Sequence, residues 1–367
     1  MVDLTSHYGG IALRNPIIAG SSGLTASLQQ IKALAQAGAG AVILKSLFEE
    51  QIEATALQAE AEMATSYPEG LDYMLHYTRQ HEIEKYLDLI REAKQAIDIP
   101  LIASVNCYRG GEWEAFAQSI QEAGADALEL NVMRIETDPA QRGSDLEQEL
   151  VDLAISITRT VQIPVVFKIS DRFTNILYLA QELVKSGVKG LTCFNKSWQT
   201  DINIETLEIV QGPVISTGHE LYNTLKYTGL LTGKLPQLAV SASGGIMDYA
   251  GVVKSLLVGA SSVQVVSALY QHGASYLTKM LEELTQWMTQ HGYRSIDEFR
   301  GNLNASKRLT KSSTCAHSLC VTSVVRLKVK AETHTYLTTP FNQLKYHRNY
   351  EQTIYHSRHR SRSSLPI

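Results

Sequence analysis

One arrangement of polar and apolar positions recurs along the chain: an amphipathic helix, a glycine near its end, and then a short apolar run. It occurs with Gly38 before Val42–Lys45, Gly124 before Leu128–Asn131, Gly187 before Leu191–Asn195, and Gly259 before Val263–Ser267. Glycine ends a helix readily because it adopts the left-handed conformation without steric strain. The apolar run that follows is typical of a strand buried on both faces.

A second pattern alternates with the first: an apolar residue and a proline open a strand at Pro100, Pro164 and Pro236. Proline at the first residue of a strand costs no ladder hydrogen bond. Interleaved, the two patterns give strands two to eight, and Asn15–Gly23 supplies the first. Strands and helices that alternate in this way predict a parallel sheet with right-handed crossovers.

Eight such units are typical of a TIM (β/α)8 barrel, which takes roughly 250 residues. A doubly wound open sheet has the same order of elements and stays open as the alternative. Amphipathic helices are predicted at Ile83–Ala96, Leu146–Val161 and Ala274–Gln290. The segment Glu49–Tyr77 is longer than an ordinary loop after a strand, and an insertion at that end of a barrel often covers the substrate.

The composition changes near Lys307. Residues 307–367 are rich in Ser, Thr, His and Arg, are nearly free of acids, and show neither barrel pattern. We therefore assign residues 1–306 to the barrel and treat residues 307–367 as a C-terminal appendage. Two interpretations of this tail are open: a poorly ordered basic segment, or a natural C-terminus replaced by out-of-frame translation.

Bulk properties exclude several classes of function. The net charge of −4 gives no general attraction to nucleic acid or to anionic lipid. No signal peptide and no apolar stretch of about 18 residues is recognisable, and four cysteines do not make a disulfide framework. Cys315 and Cys320 are too few for an iron–sulfur cluster, and no metal site is predicted. We expect a soluble, cytoplasmic protein.

Candidate chemistry lies at the carboxyl ends of the predicted strands, where barrel enzymes place their active sites. The residues there are Gly20, Ser21, Ser22, Lys45, Ser46, Ser104, Val105, Asn106, Asn131, Lys168, Asn195, Gly244, Gly245, Val266 and Ser267. A buried lysine needs an acidic or carbonyl partner. A flavin ring offers carbonyls and an edge that becomes anionic on reduction, so two lysines and three amides at one rim favour a flavin.

The segments SASGGI and VVSAL follow strands seven and eight. Their small residues, Ser243 to Gly245 and Val266 to Ser267, let backbone N–H groups approach an anion, and phosphate sites after these strands are common in barrels. An ordinary tight turn is the alternative interpretation of the glycine pair.

Together these segments resemble the dihydroorotate dehydrogenase family, from about Leu4 to about Gly301. VDLTSHYGGIALRNPIIAGSSG is similar to the family's start, a short β-hairpin that leads into Asn-Pro. The further matches are Lys45-Ser46, LELN ending at Asn131, FKIS with Lys168, CFN with Asn195, ASGGI and QVVSAL. The likeness is closest to the soluble members.

The resemblance implies FMN as the cofactor and oxidation of a CH–CH bond beside carbonyls, first of all dihydroorotate to orotate in pyrimidine biosynthesis. Lys168 would stabilise the reduced ring, and Lys45 would sit near the ring and the substrate as a catalytic residue. The substrate, a small carboxylic acid or cyclic amide, would contact Asn131, Arg134, Asn195 and Lys196. The soluble relatives usually pair, which implies a homodimer. The full set of expected FMN contacts is Gly20, Ser21, Ser22, Lys45, Ser46, Asn106, Asn131, Lys168, Asn195, Gly218, Ser243, Gly244, Gly245, Val266 and Ser267.

The chain departs from the family on the substrate side. The family's catalytic base is a Cys or Ser shortly after the strand-four asparagine, where this chain has Asn131-Val132-Met133-Arg134. A guanidinium does not accept a proton at physiological pH, although Arg134 suits a carboxylate. The family's substrate loop is not recognisable in YPEGLDY, and Lys196 follows Asn195.

Cys107 is one candidate for the missing base, and a small apolar filler is the alternative interpretation of that residue. Tyr67, Tyr73, His76 and Asp138 lie in segments that could also reach the site. Other functions stay open: a flavin reductase of another cyclic amide or unsaturated acid, a flavin-binding protein without dehydrogenase activity, or a lyase or isomerase for a phosphorylated metabolite. Electron transfer through a second subunit is a further possibility.

Overall fold

The computed structural model describes residues 2–48, 68–106, 112–196 and 199–306, with side chains from residue 80 in the second range and from 113 in the third. The barrel lies in the compact unit Met1–Ser313. The described residues end at 306, so the prediction for residues 307–367 lies outside them.

A short antiparallel hairpin precedes the barrel. Its strands are β1 (Ser6–Tyr8) and β2 (Ile11–Leu13), and Ser6 pairs with Leu13. Tyr8 at its tip is fully buried and packs with apolar residues of the barrel interior. The hairpin that the resemblance implied is thus confirmed.

Parallel strands close into a barrel. They are β3 (Ile17–Ala19), β4 (Ala41–Ile43), β5 (Leu47–Phe48), β6 (Leu101–Asn106), β7 (Ala127–Asn131), β8 (Val165–Ile169), β9 (Gly190–Cys193), β12 (Ala239–Ser243) and β13 (Ser262–Val265). The order is β4-β3-β13-β12-β9-β8-β7-β6-β5, and β4 also pairs with β6. That pairing closes the sheet, so the TIM barrel is confirmed and the open sheet is excluded. The short β5 extends the same edge of β6 beyond β4.

Helices cover the outside of the strands. They are α1 (Leu28–Gln36), α2 (Pro68–Ala96), α3 (Glu112–Glu122), α4 (Gly143–Thr160), α5 (Ile176–Lys185), α6 (Glu220–Lys234), α7 (Tyr249–Leu257), α8 (Ser267–His272) and α9 (Tyr276–Gln290). Gly38, Gly124, Gly187 and Gly259 follow helices with φ between 96° and 105°, which confirms the predicted glycine ends. Among the described helices, none combines the length and the apolar character that crossing a membrane requires.

Several element boundaries differ from prediction. Helix α2 begins at Pro68 rather than Ile83, so part of the predicted insertion is helical. The strands β4, β9 and β13 end before Lys45, Asn195 and Ser267, and Ser267 instead begins α8. Lys45 and Asn195 therefore lie in the loops at the rim, where the backbone leaves the sheet.

An antiparallel hairpin that the sequence did not predict follows β9. Its strands are β10 (Thr200–Asn203) and β11 (Glu208–Gln211). Ile202, Ile204, Leu207 and Ile209 on it are exposed. The alternation of apolar and polar positions here was too short to be recognised against the longer barrel pattern.

The interior of the barrel has an apolar half and a polar half. At the amino-terminal ends of the strands, Ile18, Ile102 and Val166 pack around Tyr8. Towards the carboxyl ends, polar side chains replace them, among them Ser104, Glu129, Lys168, Thr192 and Gln264, all buried. Alternate residues of a strand point to the same face, so these polar positions share the interior while the apolar residues between them pack against the helices.

Candidate functional site

A cavity opens at the carboxyl ends of the strands. Its volume is about 150 Å³. Lining residues are Ser21, Lys168, Phe194, Asn195, Lys196, Val214, Ser216, Ser243, Gly244, Gly245, Ile246, Met247, Gln264, Val266 and Ser267. Of these described residues two are lysines and none is acidic, so the cavity favours an anionic occupant.

Lys168 lies inside the barrel below this cavity. Its side chain is 8% exposed, and its Nζ donates to Gln264 Oε1 at 3.0 Å and lies 4.0 Å from Glu129 Oε1. An ammonium has three donor hydrogens. The remaining ones are available to carbonyl or anionic atoms in the cavity.

Three polar residues stand side by side at the strand ends. Asn106 pairs in register with Asn131, and Asn131 with Lys168. Asn195, just beyond β9, donates from Nδ2 to Asn131 Oδ1. The buried Asn106 Oδ1 has no hydrogen-bond partner among the described residues, and an orphaned acceptor of this kind calls for an N–H donor from a ligand.

The glycine pair after β12 forms a cradle. Gly244 has φ 103° and Gly245 has φ 73°. A Cβ on Gly245 would lie 2.2 Å from the backbone nitrogen of Leu221, so the first turn of α6 packs directly against this turn. Val266 and Ser267 face the same cavity from β13, and Ser267 Oγ accepts from the Ser216 N–H at 2.9 Å.

A chain of hydroxyls closes the opposite wall. Ser46 Oγ contacts Ser104 Oγ at 2.7 Å and Ser21 Oγ at 3.1 Å. Gly20 is tightly enclosed, since a Cβ there would lie 2.8 Å from Val266 Cγ2. Ser22 turns away and caps the one-turn helix Gly23–Thr25 by accepting from the Leu24 N–H.

Seven of the expected FMN contacts are not among the residues that line this cavity: Gly20, Ser22, Lys45, Ser46, Asn106, Asn131 and Gly218. Lys45 is exposed and does not line it, and Gly218 is likewise exposed. Lys45 follows the last residue of β4 in a turn, where its long side chain reaches solvent.

Arg134 lies against a different cavity. That cavity lies between α4 and the segment after β8 and is lined also by Leu146, Arg172 and Phe173. The guanidinium pairs with Glu136 and, at 3.2 Å, with Glu149. Backbone N–H groups of residues 138 and 137, together with Arg134, lower the pKa of Glu136. Arg134 is therefore engaged by carboxylates of its own chain.

Lys196 lines the main cavity beside Asn195 and carries a carboxylate partner. Its Nζ lies 3.6 Å from Glu220 Oε1. Partial burial of Glu220 raises its pKa, but hydrogen bonds from its own backbone and from Thr217, together with Lys196, outweigh burial and lower it. The pair joins the rim after β9 to the start of α6.

Among the described residues, no candidate base lies at the cavity. Cys107 and Tyr67, and the side chains of Tyr73 and His76, lie outside them. Asp138 is exposed, and its Oδ1 accepts from the Ala140 N–H at 2.9 Å in a local turn.

Sequence reasoning missed the residues that support Lys168 from below, namely Tyr8, Glu129, Thr192 and Gln264. Their signal was present, because polar residues occupy alternate positions in LELN, FKIS, LTC and VQV. Two of the predicted strands carry a charge in the middle of an apolar run, which a strand buried on both faces tolerates only with a partner.

These residues fit FMN. The orphaned Asn106 acceptor suits the flavin N3–H, Lys168 suits the N1–C2=O edge, and the side-chain-free turn at Gly244 and Gly245 suits a phosphate.

The chain is similar in sequence to several proteins of known function. A sequence model described as dihydroorotate dehydrogenase matches residues 3–288. The catalytic subunit of dihydroorotate dehydrogenase B (NAD(+)) from Thermoplasma volcanium is 26% identical over 314 residues, which cover 82% of this chain and 98% of the relative. The chloroplastic dihydropyrimidine dehydrogenase (NADP(+)) of Arabidopsis thaliana is 25% identical over 326 residues, covering 82% of this chain and 76% of the relative.

A shorter match links the chain to the Escherichia coli K12 NAD-dependent dihydropyrimidine dehydrogenase subunit PreA. It is 25% identical over 243 residues, 61% of this chain and 58% of the relative. Since the family model spans nearly all of the barrel, the chain belongs to the dihydroorotate dehydrogenase family.

Proposed function

We propose that the protein is an FMN-dependent oxidoreductase that acts on the CH–CH bond of a small anionic substrate, with dihydroorotate as the first candidate. Family membership supports the reaction class. The observation that carries the cofactor is Lys168, buried at the floor of a cavity whose described lining contains no acid. A buried ammonium that faces an acid-free cavity favours an anion there.

Each wall of the cavity has a role in this proposal. Ser243, Gly244, Gly245 and Ser267 hold the phosphate, and Lys168 holds the pyrimidine edge of the ring. When bound, FMN supplies the acceptor for a hydride from the substrate carbon. Lys168 offers positive charge where negative charge develops, which is the interaction that lowers a reaction barrier.

The substrate contacts that we propose are Asn131, Asn195 and Lys196. The bond between the two amides fixes which atoms they present: Asn131 keeps its NH2 group and Asn195 keeps its carbonyl oxygen for a ligand. A cyclic amide offers complementary N–H and C=O groups. Lys196 at the rim suits its carboxylate.

The proton acceptor for the oxidative direction is a separate proposal. Arg134 is excluded by its chemistry, and Cys107 remains our candidate because it directly follows Asn106, which lies at the mouth. A Cys107→Ser variant, which keeps a weaker base, should retain more activity than Cys107→Ala.

The visible spectrum of the purified full chain tests the proposal. We expect a yellow protein whose flavin absorption bleaches when dihydroorotate is added without oxygen. A colourless chain that does not take up added FMN would contradict the cofactor. A yellow chain that dihydroorotate and dihydropyrimidines both leave oxidised would contradict the substrate while leaving the cofactor standing.

A second candidate is the reverse chemistry, reduction of an unsaturated acid. The observation that favours it is Lys196, which lines the cavity beside Asn195 and whose ammonium has hydrogens to donate and no lone pair to accept one. Photoreduced protein mixed with orotate, fumarate or other enoates should then reoxidise rapidly. Lys196→Met should slow that step at least tenfold, whereas reoxidation by oxygen should not change. If Lys196→Met and the unsubstituted protein are reoxidised by the unsaturated acid at the same rate, and by oxygen at the same rate, this role of Lys196 is ruled out.

A further inference from the structure

The polar half of the barrel interior contains one carboxylate, Glu129, among its described residues. It is fully buried on β7, two residues before Asn131. Tyr8 Oη at 2.7 Å, Thr192 Oγ1 at 2.7 Å and Gln264 Nε2 at 2.6 Å all donate to its Oε2. Three donors on one oxygen fit an ionised carboxylate, which is an acceptor only.

The other carboxylate oxygen lacks a hydrogen bond. Glu129 Oε1 has no partner among the described residues and lies 4.0 Å from Lys168 Nζ. A buried charge without a counter-charge is strongly disfavoured. Glu129 and Lys168 are opposite charges in one closed interior, so each offsets the burial of the other.

Gln264 connects the two charges. Its Oε1 accepts from Lys168 at 3.0 Å, while its Nε2 donates to Glu129 Oε2 and to Thr192 Oγ1. The reversed amide would place its NH2 group against the ammonium and its oxygen against the carboxylate. Both contacts would be repulsive, so the two charges fix the amide in one orientation, and the amide fixes the position of the ammonium.

Tyr8 links this unit to the N-terminal hairpin. Burial and the neighbouring Glu129 raise the pKa of its phenol well above the ordinary value, so Tyr8 stays a neutral donor. The hairpin therefore closes the barrel from below and also stabilises the negative charge on Glu129.

We infer that Glu129 is a positioning residue that acts through Gln264 to keep the Lys168 ammonium charged and directed into the cavity. This inference rests on the proposed flavin site. It extends the site from the rim into the barrel interior and assigns the hairpin residue Tyr8 to the same unit. Without Glu129, the buried ammonium of Lys168 loses its counter-charge and the amide that positions it is no longer held, so less positive charge is directed at the flavin site.

A double-mutant cycle in the apoprotein tests the pairing without any flavin. The variants are E129Q, K168M and E129Q/K168M, and urea unfolding measures stability. Each single change leaves one buried charge without its counter-charge, whereas the double change removes both. Each variant lowers the folding equilibrium constant by some factor. We expect the factor for E129Q multiplied by the factor for K168M to be at least ten times the factor for the double variant. Additive effects would overturn the inference.

The control cycle uses S262A with K168M. Ser262 is also buried in the barrel interior, but its hydroxyl contacts Ser241 at 2.9 Å and none of the described network residues. Its effect should be additive with that of K168M.

Two flavin readouts test the functional part. Sulfite adds to oxidised flavin and leaves negative charge on the ring, so its affinity reports positive charge near N1. We expect E129Q to weaken sulfite binding at least tenfold and to lower the midpoint potential. A tenfold change in a two-electron couple corresponds to about 30 mV. Unchanged or tighter sulfite binding in E129Q would contradict the inference.

A milder variant covers the case in which E129Q does not fold. Y8F removes one of the three donors to Glu129 Oε2, so the carboxylate that offsets and positions Lys168 is less well held. Sulfite binding should weaken about threefold, and an unchanged affinity would count against the inference. A wild-type chain that binds no FMN would contradict the proposed function instead, and the apoprotein cycle would then decide the Glu129–Lys168 pairing alone.

Discussion

Among individual residues, the buried ammonium of Lys168 is central to the proposed site. Lys168 is 7% exposed, and its Nζ donates a hydrogen bond to Gln264 Oε1, which fixes its position. It faces a cavity with no acid among its described lining residues. Lysines are rarely buried without a partner. The carboxylate partner lies deeper in the barrel, so the ammonium can face a ligand on its other side.

Lys168→Met should weaken FMN binding at least tenfold and lower apoprotein stability by about 3 kcal/mol, because Glu129 loses its counter-charge. Fluorescence titration with FMN and urea unfolding measure the two effects. Lys185→Met is the matched control, since Lys185 is exposed and pairs with Glu182, three residues earlier on α5. Equal effects of the two substitutions would contradict the role of Lys168.

At the element scale, turns that pack backbone against backbone shape the site. The turn after β12 meets the start of α6, and the pair Lys196–Glu220 joins the rim after β9 to the same helix. Helix α6 therefore connects the predicted phosphate cradle to the predicted substrate rim.

Gly245→Ala should destabilise the fold by about 1–3 kcal/mol, since the residue has φ 73° and its Cβ would lie 2.2 Å from the Leu221 nitrogen. The displaced turn should also weaken FMN binding. Gly143→Ala is the control, because a Cβ there has open space at the start of α4. A melting temperature for Gly245→Ala equal to that of the control would show that the turn tolerates a side chain.

Glu220→Gln should lower stability at pH 7 by less than about 1 kcal/mol, as expected for a partly exposed ion pair at the rim. The folded pKa of Glu220 lies below its ordinary value of 4.5. Its contribution is therefore fully present above that value and disappears as the pH falls through the lower folded pKa. Urea unfolding at pH 7 and at progressively lower pH checks this, and a difference that grows on acidification would contradict it.

On the scale of the whole molecule, the barrel divides its interior between stability and function. The apolar half around Tyr8 is a packed core, and the polar half carries the charges that face the mouth. Barrel enzymes separate a stability face from a catalytic face, and here the boundary between the two runs through the interior itself, at Tyr8 and Glu129.

Ile102→Ala in the apolar half should cost about 2–5 kcal/mol by leaving a cavity, with little change in FMN affinity per folded molecule. Ile102 is fully buried on β6, four residues before Asn106. Thermal unfolding and FMN titration separate the two quantities. A large loss of FMN affinity with unchanged stability would show that the two halves are not divided as described.

Local sequence patterns were enough to predict the order of the eight barrel strands and the helices between them, the glycines that end the helices, and the rim positions of Lys168, Asn131 and Gly244. These depend on local hydrophobic periodicity and on the backbone freedom of glycine, which act over a few residues. The prediction that Asn195 belongs to the same rim also held, because consecutive parallel strands end at one edge.

Closure of the sheet follows from the tertiary structure alone, because it requires β4 to pair with β6, a strand far along the chain. The tertiary structure also decided that Lys45 faces solvent, that Arg134 lies against a separate cavity, and that Glu129 partners Lys168 through Gln264. The direction of a long side chain, and the pairing of charges on strands distant in sequence, depend on register and twist around the whole barrel. No local pattern carries that information.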